Sequence, residues 1–336
     1  MKQLIYIGNK LEKKGASPTT IDVLIPLLEN EGYQVRAASS FRNKSIRLLH
    51  MLLTLARAGG KTDYVLIDTY STQNFWYAIL CGKICRLLKL KYIPILHGGN
   101  LPQRLRENKK ISRKFFKNAF VNVAPSQFLL KKFGQSGIKN LKYIPNPLQL
   151  AKYEFRLRKE LQPKILWVRS FAEIYNPIMA VKILEMLLLE YPQASLCMVG
   201  GAKDETFNRC RSYAERHNLP VHFTGKLEKK EWIRLAAEYS IFLNTSAIDN
   251  TPVSVIEAMA LGLPVISTRV GGMPYLIKNG QEGILFDKEE PEAAAKAIRF
   301  LLKSPQQAET LAEAARSKVE KFDWEIVKQD WLQVLN

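Results

Sequence analysis

Two acidic residues in the C-terminal half, Asp249 and Glu257, are separated by seven others. Thr251 is a favourable N-cap and Pro252 suits the first helical position, which predicts a helix from there to about Ala260. The free N–H groups and the dipole at such a helix start favour phosphate or sugar oxygens. Carboxylates accept hydrogen bonds from hydroxyl groups. An isolated pair at this spacing is more often a loop cap and a solvated helix residue, so the surrounding sequence decides its meaning.

The sequence that follows the pair is informative. Residues 257–266 read EAMALGLPVI, and residues 270–274 read VGGMP. Together with the acidic pair, these stretches resemble the donor-site signature of the retaining glycosyltransferases of family GT4, the group 1 glycosyltransferases with the GT-B fold. The resemblance covers the second half closely and the first half through its layout. It implies an enzyme that moves a sugar from a nucleotide diphosphate sugar to an acceptor hydroxyl without a bound metal ion.

The resemblance also implies roles for single residues. Glu257 is expected to bind the donor ribose, and Asp249, where the family usually has glutamate, to meet hydroxyls of the transferred sugar. Arg169 matches the family's phosphate-binding arginine, whose planar fork suits a diphosphate. Tyr175 and Tyr275 stand where the family commonly has lysine and an acidic residue. Further donor contacts are expected from Asn250, Thr251, Val253, Gly201, Lys226 and Leu227.

Two segments of the first half resemble parts of the same site. His97, Gly98 and Gly99 follow a predicted strand and resemble the loop whose histidine reaches the donor sugar. We expect His97 to act in catalysis together with Asp249 and Arg169, although a single histidine at a strand end is more often structural. Gly15 matches the loop beneath the diphosphate, and a plain turn explains it equally well.

Both halves alternate short β-rich runs with longer helix-period segments, which predicts parallel sheets covered by helices. Six strands are predicted in the first half, over residues 4–8, 34–38, 64–68, 92–96, 120–123 and 141–144. Six more follow in the second half, over residues 164–168, 195–199, 221–224, 241–244, 264–267 and 283–286. The predicted fold is therefore α/β of the GT-B type, with two doubly wound Rossmann-like domains facing each other across a cleft.

A chain of 336 residues suits two domains. We expect an N-terminal acceptor-side domain over residues 1–150 and a linker over residues 151–162. A nucleotide-sugar-binding domain follows over residues 163–320. A C-terminal helix over residues 321–336 is expected to pack back on the N-terminal domain.

The net charge of +19 is divided unevenly. Residues 1–162 carry 29 Lys and Arg against 9 Asp and Glu, whereas residues 163–336 carry 21 against 22. A concentrated positive field attracts nucleic acids, anionic lipids or acidic polymers. Residues 41–58 and 109–120 interleave cations with apolar side chains, which suits an anionic membrane surface or, equally, helices that cover a sheet. We expect peripheral binding to the cytoplasmic face of a membrane, and a lipid-linked or glycan acceptor used in cell-surface polysaccharide synthesis.

Several function classes are disfavoured. The N-terminal apolar run is too short for a signal peptide, no run is long enough to span a bilayer, and four unevenly spaced cysteines do not form a metal site. The nucleotide sugar, with UDP favoured over GDP, is a substrate, and no cofactor is expected. An epimerase or hydrolase of the same architecture, or a basic nucleic-acid-binding protein, remain alternatives. The chain shows no recognition helix or zinc finger, so we expect no nucleic-acid partner.

Overall fold

The computed structural model describes residues 2–10, 19–38, 40–58 and 61–336, so Gly15 lies outside the described residues. The chain divides into two compact units. The first unit comprises Met1–Pro147 and Trp324–Asn336, and the second comprises Leu148–Asp323. Counted over these bounds, the first unit has 26 Lys and Arg against 9 Asp and Glu, a net charge of +17, and the second has a net charge of +2.

The described residues of the first unit form one parallel sheet in the order β2-β1-β3-β4-β5-β6. Its strands are β1 (Gln3–Ile7), β2 (Gln34–Ala38), β3 (Tyr64–Thr69), β4 (Tyr92–Leu96), β5 (Asn122–Ala124) and β6 (Leu141–Tyr143). The helices between them are α1 (Thr20–Asn30), α2 (Lys44–Ala56), α3 (Asn74–Leu87), α4 (Leu101–Glu107), α5 (Lys109–Lys117) and α6 (Gln127–Gln135).

The second unit has a parallel sheet of the order β12-β11-β10-β7-β8-β9. Its strands are β7 (Lys164–Val168), β8 (Ser195–Val199), β9 (Val221–Gly225), β10 (Ile241–Asn244), β11 (Val265–Thr268) and β12 (Ile284–Phe286). Its helices are α7 (Pro177–Leu188), α8 (Thr206–Arg216), α9 (Lys229–Ala236), α10 (Val253–Ala260), α11 (Met273–Leu276), α12 (Pro291–Lys303) and α13 (Pro305–Glu320). The prediction of twelve strands in two α/β units is confirmed.

Each sheet is covered by helices on both faces, which is why its strands are near-continuous apolar runs. Within the first unit, α14 (Trp324–Leu335) packs Trp324, Val327 and Trp331 into the cluster beneath one face of the sheet. Residues 151–162 belong to the second unit. Tyr153 is buried there, and Arg158 donates hydrogen bonds to several main-chain carbonyl groups of that unit.

One of the two cationic segments noted in the sequence, residues 109–120, contributes aromatic side chains to the core. In α5, Phe115 and Phe116 are fully buried. Phe115 stacks on Tyr92 with ring centroids 5.4 Å apart, and Phe116 meets Phe133 edge-on at 4.9 Å. These aromatic rings are therefore part of the core, and this segment is a helix that covers the sheet. No helix of the described residues is both long and apolar enough to cross a membrane.

Candidate active site

The ends of β7 and β10 bring three of the predicted site residues together. The two strands are neighbours in the sheet, so the residues that follow them lie at the same edge. The guanidinium of Arg169 forms an ion pair with the carboxylate of Asp249. The ring of Tyr175 lies against the guanidinium, with its centroid 4.4 Å from the Arg169 Cζ. Tyr175 thus supports Arg169 through its π face instead of adding the second cation that a lysine would provide.

The carboxylate of Asp249 is fixed from several sides. The Ser246 hydroxyl lies 3.1 Å from Oδ2, and the Asn250 N–H donates to Oδ1 at 2.9 Å. The turn that contains Gly271 and Gly272 packs directly on this loop. A Cβ atom at either glycine would lie 1.9 Å from the carbonyl oxygen of Asp249 or Asn250. This close backbone approach explains why the turn requires two glycines.

The charge of Arg169 is permanent in this environment. Burial lowers the pKa of the guanidinium, but the charge of Asp249, the Tyr175 phenol and the hydrogen bond to Asp249 together outweigh it, so the pKa of Arg169 is raised. A guanidinium is a planar donor that remains charged in proteins, which suits it to anionic oxygens. The Arg169 group therefore offers fixed positive charge and oriented N–H donors rather than an exchangeable proton.

Glu257 lies on α10 and is buried, with 2% of its surface exposed. The Tyr153 hydroxyl donates a hydrogen bond to its Oε1 at 2.7 Å, and Lys229, at the start of α9, forms an ion pair with the same oxygen. Burial, followed by the charge of Glu257, raises the pKa of Tyr153, so the phenol stays protonated. Glu257 is therefore not a solvated helix residue. No pattern in the sequence predicts Lys229 and Tyr153 as its partners.

The start of α10 differs by one residue from the prediction. Pro252 has φ −66° and ψ 123°, which is extended, so it is the N-cap and the helix begins at Val253. Proline fixes φ but leaves ψ free, and the extended ψ moves Thr251 outside the helix. The predicted N-cap role of Thr251 is therefore wrong. The predicted helix end is confirmed, because Gly262 follows it with φ +75°.

Three buried polar atoms around this helix start have no hydrogen-bond partner among the described residues. They are Thr251 Oγ1, Ser254 Oγ and Arg169 Nε. A buried donor without a partner costs about 1–3 kcal/mol, so native proteins rarely leave several of them together. All three are donors next to the positive end of α10. A ligand with several acceptor oxygens, such as a diphosphate, would satisfy them.

The loops after β8 and β9 lie next to Arg169. The Gly200 N–H donates to the Gly225 carbonyl at 2.8 Å, and a Cβ at Gly200 would lie 1.7 Å from the Arg169 carbonyl oxygen. A Cβ at Gly201 would lie 3.8 Å from that of Lys226. The structure thus brings the predicted Gly201 and Lys226 side by side. Lys226 is exposed, and Leu227 is half-buried against the core.

In the first unit, His97 follows β4 and is paired with a carboxylate, Asp68, that was not predicted from the sequence. Its Nε2 lies 2.9 Å from Oδ1 of Asp68, and the Tyr6 hydroxyl donates to the same oxygen at 3.0 Å. Burial, and then the charge of Asp68, raise the pKa of Tyr6 well above its usual value. Oδ1 therefore accepts both hydrogen bonds. This arrangement places the imidazole proton on Nε2 and, among the residues that the structure describes, leaves Nδ1 available to a ligand.

The surroundings of His97 fix its ring plane. The Tyr70 ring stacks on the imidazole with centroids 4.6 Å apart. Gly98 follows with φ +82°, a conformation that favours glycine, and Gly99 continues the turn into α4. The signal for Asp68 was present in the sequence as a carboxylate inside the apolar run of β3, all of which is buried.

The family of glycosyl transferases group 1 matches residues 151–318, which is half of the chain and includes Arg169, Asp249 and Glu257. The chain belongs to this family. Among the described residues, no group of three or more His, Cys, Asp or Glu side chains could hold a metal ion.

Two curated relatives align with part of the chain. The sulfoquinovosyl transferase of Arabidopsis thaliana is 30% identical over 149 residues, which cover 43% of this chain and 28% of the relative. Spore coat protein SA of Bacillus subtilis (strain 168) is 29% identical over 214 residues, covering 59% of this chain and 56% of the relative. The alignments therefore span only 28% and 56% of the lengths of these two relatives.

Solved structures resemble the whole chain. Anabaena HepE in complex with UDP and glucose has a TM-score of 0.80 at 16% identity, covering 100% of this chain and 99% of that one. The sucrose-phosphate synthase of Thermosynechococcus elongatus has a TM-score of 0.82 at 17% identity, covering 99% and 98%. At these identities the similarity shows the fold, which is GT-B as predicted.

Proposed function

We propose that the chain transfers a sugar from a nucleotide diphosphate sugar to an acceptor hydroxyl, with retention of the anomeric configuration and without a metal ion or other cofactor. One observation carries the proposal. Within the segment that matches the family, the Arg169–Asp249 pair adjoins the start of α10, where three buried donors have no partner among the described residues. This set of donors suits a diphosphate.

The proposed roles follow from the chemistry of each group. The Arg169 guanidinium, the first N–H groups of α10 and the hydroxyls of Thr251 and Ser254 bind the diphosphate and stabilise the charge that develops as it leaves. Glu257 accepts hydrogen bonds from the ribose. Asp249 aims the guanidinium and meets the sugar. Main-chain groups of Asn250 and Val253 bind sugar and phosphate oxygens, and His97 contacts the sugar through Nδ1.

The proposed reaction takes place on one face of the sugar. The bond between the anomeric carbon and the diphosphate oxygen breaks, and a bond from the acceptor oxygen to the same carbon forms. The acceptor proton passes to an oxygen of the leaving diphosphate, which makes a separate general base unnecessary. Positioning and fixed charge supply most of the rate enhancement in such a scheme. A permanently charged Arg169 fits that requirement.

A UDP-sugar is the proposed donor. HepE, which shares the fold, was solved with UDP and glucose. In this chain, the main-chain groups around Lys226 and Leu227 are proposed to hold the base. Gly201, beside Lys226, is proposed to lie along the nucleotide.

The proposed acceptor is a lipid-linked glycan or glycolipid used in cell-surface polysaccharide synthesis. The support is electrostatic, since the first unit has a net charge of +17 and the second +2. A field of that size draws a protein to an anionic surface. Work at the cytoplasmic face of a membrane would bring the first unit and a lipid-linked acceptor together.

A thermal-shift screen with UDP- and GDP-sugars tests the donor. A ligand that binds only the native state at a hundred times its Kd stabilises it by about 2.7 kcal/mol, so a UDP-sugar is expected to raise the Tm of the wild type and not of Glu257→Ala. Incubation without an acceptor is expected to leave the donor intact, whereas rapid hydrolysis or epimerisation would indicate the other enzyme classes. If no nucleotide sugar changes the Tm, the proposed donor site is wrong.

A further inference from the structure

Helix α2 exposes apolar side chains on the face that points away from the sheet. Ile46, Leu49 and Leu53 have 49%, 56% and 41% of their surfaces exposed. Their spacing of three and four residues places them on one side of the helix, opposite the buried Met51 and Leu55. Solvent-exposed leucine and isoleucine on consecutive turns form a stripe, not a scatter of single residues.

The neighbouring helix α3 has a similar stripe. Trp76, Leu80 and Leu87 are exposed, and Lys83 lies between them on the same side. The two helices pack side by side on one face of the sheet. Their first turns are linked, because Lys44 donates to Gln73 Oε1 at 2.8 Å. We call the combined surface the α2–α3 face, which comprises Ile46, Leu49, Leu53, Trp76, Leu80 and Leu87.

Neither helix of the α2–α3 face carries a carboxylate, and Asp63, in the loop after α2, accepts a hydrogen bond from the Gln3 N–H at the start of β1. The sequence has no Asp or Glu in residues 32–62 or 69–106. Cations occur along both helices and at their ends: Arg42, Lys44, Arg57, Lys83, Arg86 and Lys89. Arg57 follows the α2 stripe and Lys83 lies within the α3 stripe, so positive charge is placed among the exposed apolar groups.

We propose that the α2–α3 face docks the first unit on an anionic lipid bilayer. The apolar side chains would enter the interface while the surrounding cations meet lipid phosphates. A second copy of the chain would place two carboxylate-free basic faces against each other, which like-charge repulsion opposes. This inference rests on the proposed function in one respect, which is that docking on a membrane would bring the enzyme to a lipid-linked acceptor.

Vesicle binding of the full chain tests the α2–α3 face without any sugar transfer. One variant combines Ile46→Gln, Leu49→Gln and Leu53→Gln, and a second combines Arg57→Gln and Lys83→Gln. The matched controls change exposed residues elsewhere: Leu189→Gln, Phe300→Gln and Ile326→Gln for the first, and Lys159→Gln and Lys296→Gln for the second. Flotation uses vesicles of phosphatidylcholine alone and of equimolar phosphatidylcholine and phosphatidylglycerol.

The wild type and both controls are expected to float with the anionic vesicles and not with the neutral ones. Each α2–α3 variant is expected to bind the anionic vesicles at least tenfold more weakly, since it loses either cations near the surface or apolar groups that enter the interface. Unchanged thermal unfolding and unchanged UDP-induced stabilisation would show that the variants fold and that the second unit is intact.

Three results would overturn the proposal. The first is wild-type protein that does not bind anionic vesicles. The second is equal binding by the α2–α3 variants and their controls. The third is a wild-type dimer, seen by light scattering, that the apolar variant converts to a monomer, since a second copy would then cover the face. Nucleotide-sugar binding is measured separately, so failure here leaves the proposed transferase function standing or falling on its own test.

Discussion

The buried carboxylates of the two units have different kinds of partners. In the second unit, Asp249 and Glu257 each form an ion pair with a cation, Arg169 and Lys229. In the first unit, the partners of Asp68 are an imidazole and a phenol. Paired charges give a fixed field, which suits the binding of a diphosphate. The Asp68 carboxylate instead orients the imidazole of His97, whose Nδ1 is then available to a ligand.

Removing a charged side chain from the site of the second unit should have the largest effect on activity. Arg169→Ala and Glu257→Ala are each expected to lower kcat/KM by about a thousandfold or more, because charge stabilisation of the leaving group or ribose binding is lost. Steady-state kinetics with a UDP-sugar would measure this. Arg209→Ala is the matched control, since Arg209 pairs with Glu173 on the exposed surface, where such pairs contribute little. Near-normal turnover in either site variant would contradict the assigned site.

The same pair gives a test of stability. Arg169→Gln leaves Asp249 mostly buried without its cation and is expected to lower the free energy of unfolding by about 3 kcal/mol. The double variant with Asp249→Asn should recover much of that loss in urea unfolding while remaining inactive. Equal instability of the single and double variants would show that the ion pair does not set the stability of this loop.

The first unit should give a smaller, graded response. His97→Ala is expected to lower kcat by about a hundredfold, and Asp68→Asn by about tenfold, with little change in the donor KM. If both variants changed only the Tm, His97 and Asp68 would have a structural role alone.

Two variants of Tyr175 separate the effect of the π contact with Arg169 from the effect of the phenol hydroxyl group. Tyr175→Phe retains the ring and should keep kcat/KM within about threefold, whereas Tyr175→Leu removes the cation–π contact and should cost about tenfold. Donor kinetics of the two variants, compared with each other, isolate the ring. The opposite order would mean that the phenol hydroxyl contacts the substrate.

The smallest effects on donor binding are expected from substitutions of the two partners of Glu257. Lys229→Met and Tyr153→Phe each leave one partner on the carboxylate and should raise the donor Kd by less than about tenfold. Because the pKa of Tyr153 is raised, its hydrogen bond should persist from about pH 7 to about pH 10, where a free tyrosine is half ionised. The ratio of the Kd values of Tyr153→Phe and wild type should therefore stay constant over that range in calorimetric titrations. A falling ratio would show that Tyr153 ionises.

The local pattern of the chain specifies its elements. Short buried apolar runs such as β3 and β10 mark the strands, and the acidic spacing with residues 257–266 identifies the α10 segment and its family. These features lie within one turn or one strand, where side-chain periodicity and backbone preferences act directly. The predicted start of α10 is wrong by one residue, and the cause is also local. Proline fixes φ but leaves ψ to the surrounding loop, as at Pro252.

The partners of the site residues depend on the folded chain. Arg169 and Asp249 are 80 residues apart in sequence, Tyr153 and Glu257 are 104 apart, and Asp68 and His97 are 29 apart. Each pair meets because parallel strands that are neighbours in the sheet end at the same edge, or because a connecting segment packs on a distant helix. Periodicity carries no information about which strands become neighbours. Arg169, Asp249, Glu257 and His97 are therefore predictable as site residues from the sequence. Their partners and the exposed faces of the helices arise only when the sheets and helices pack together.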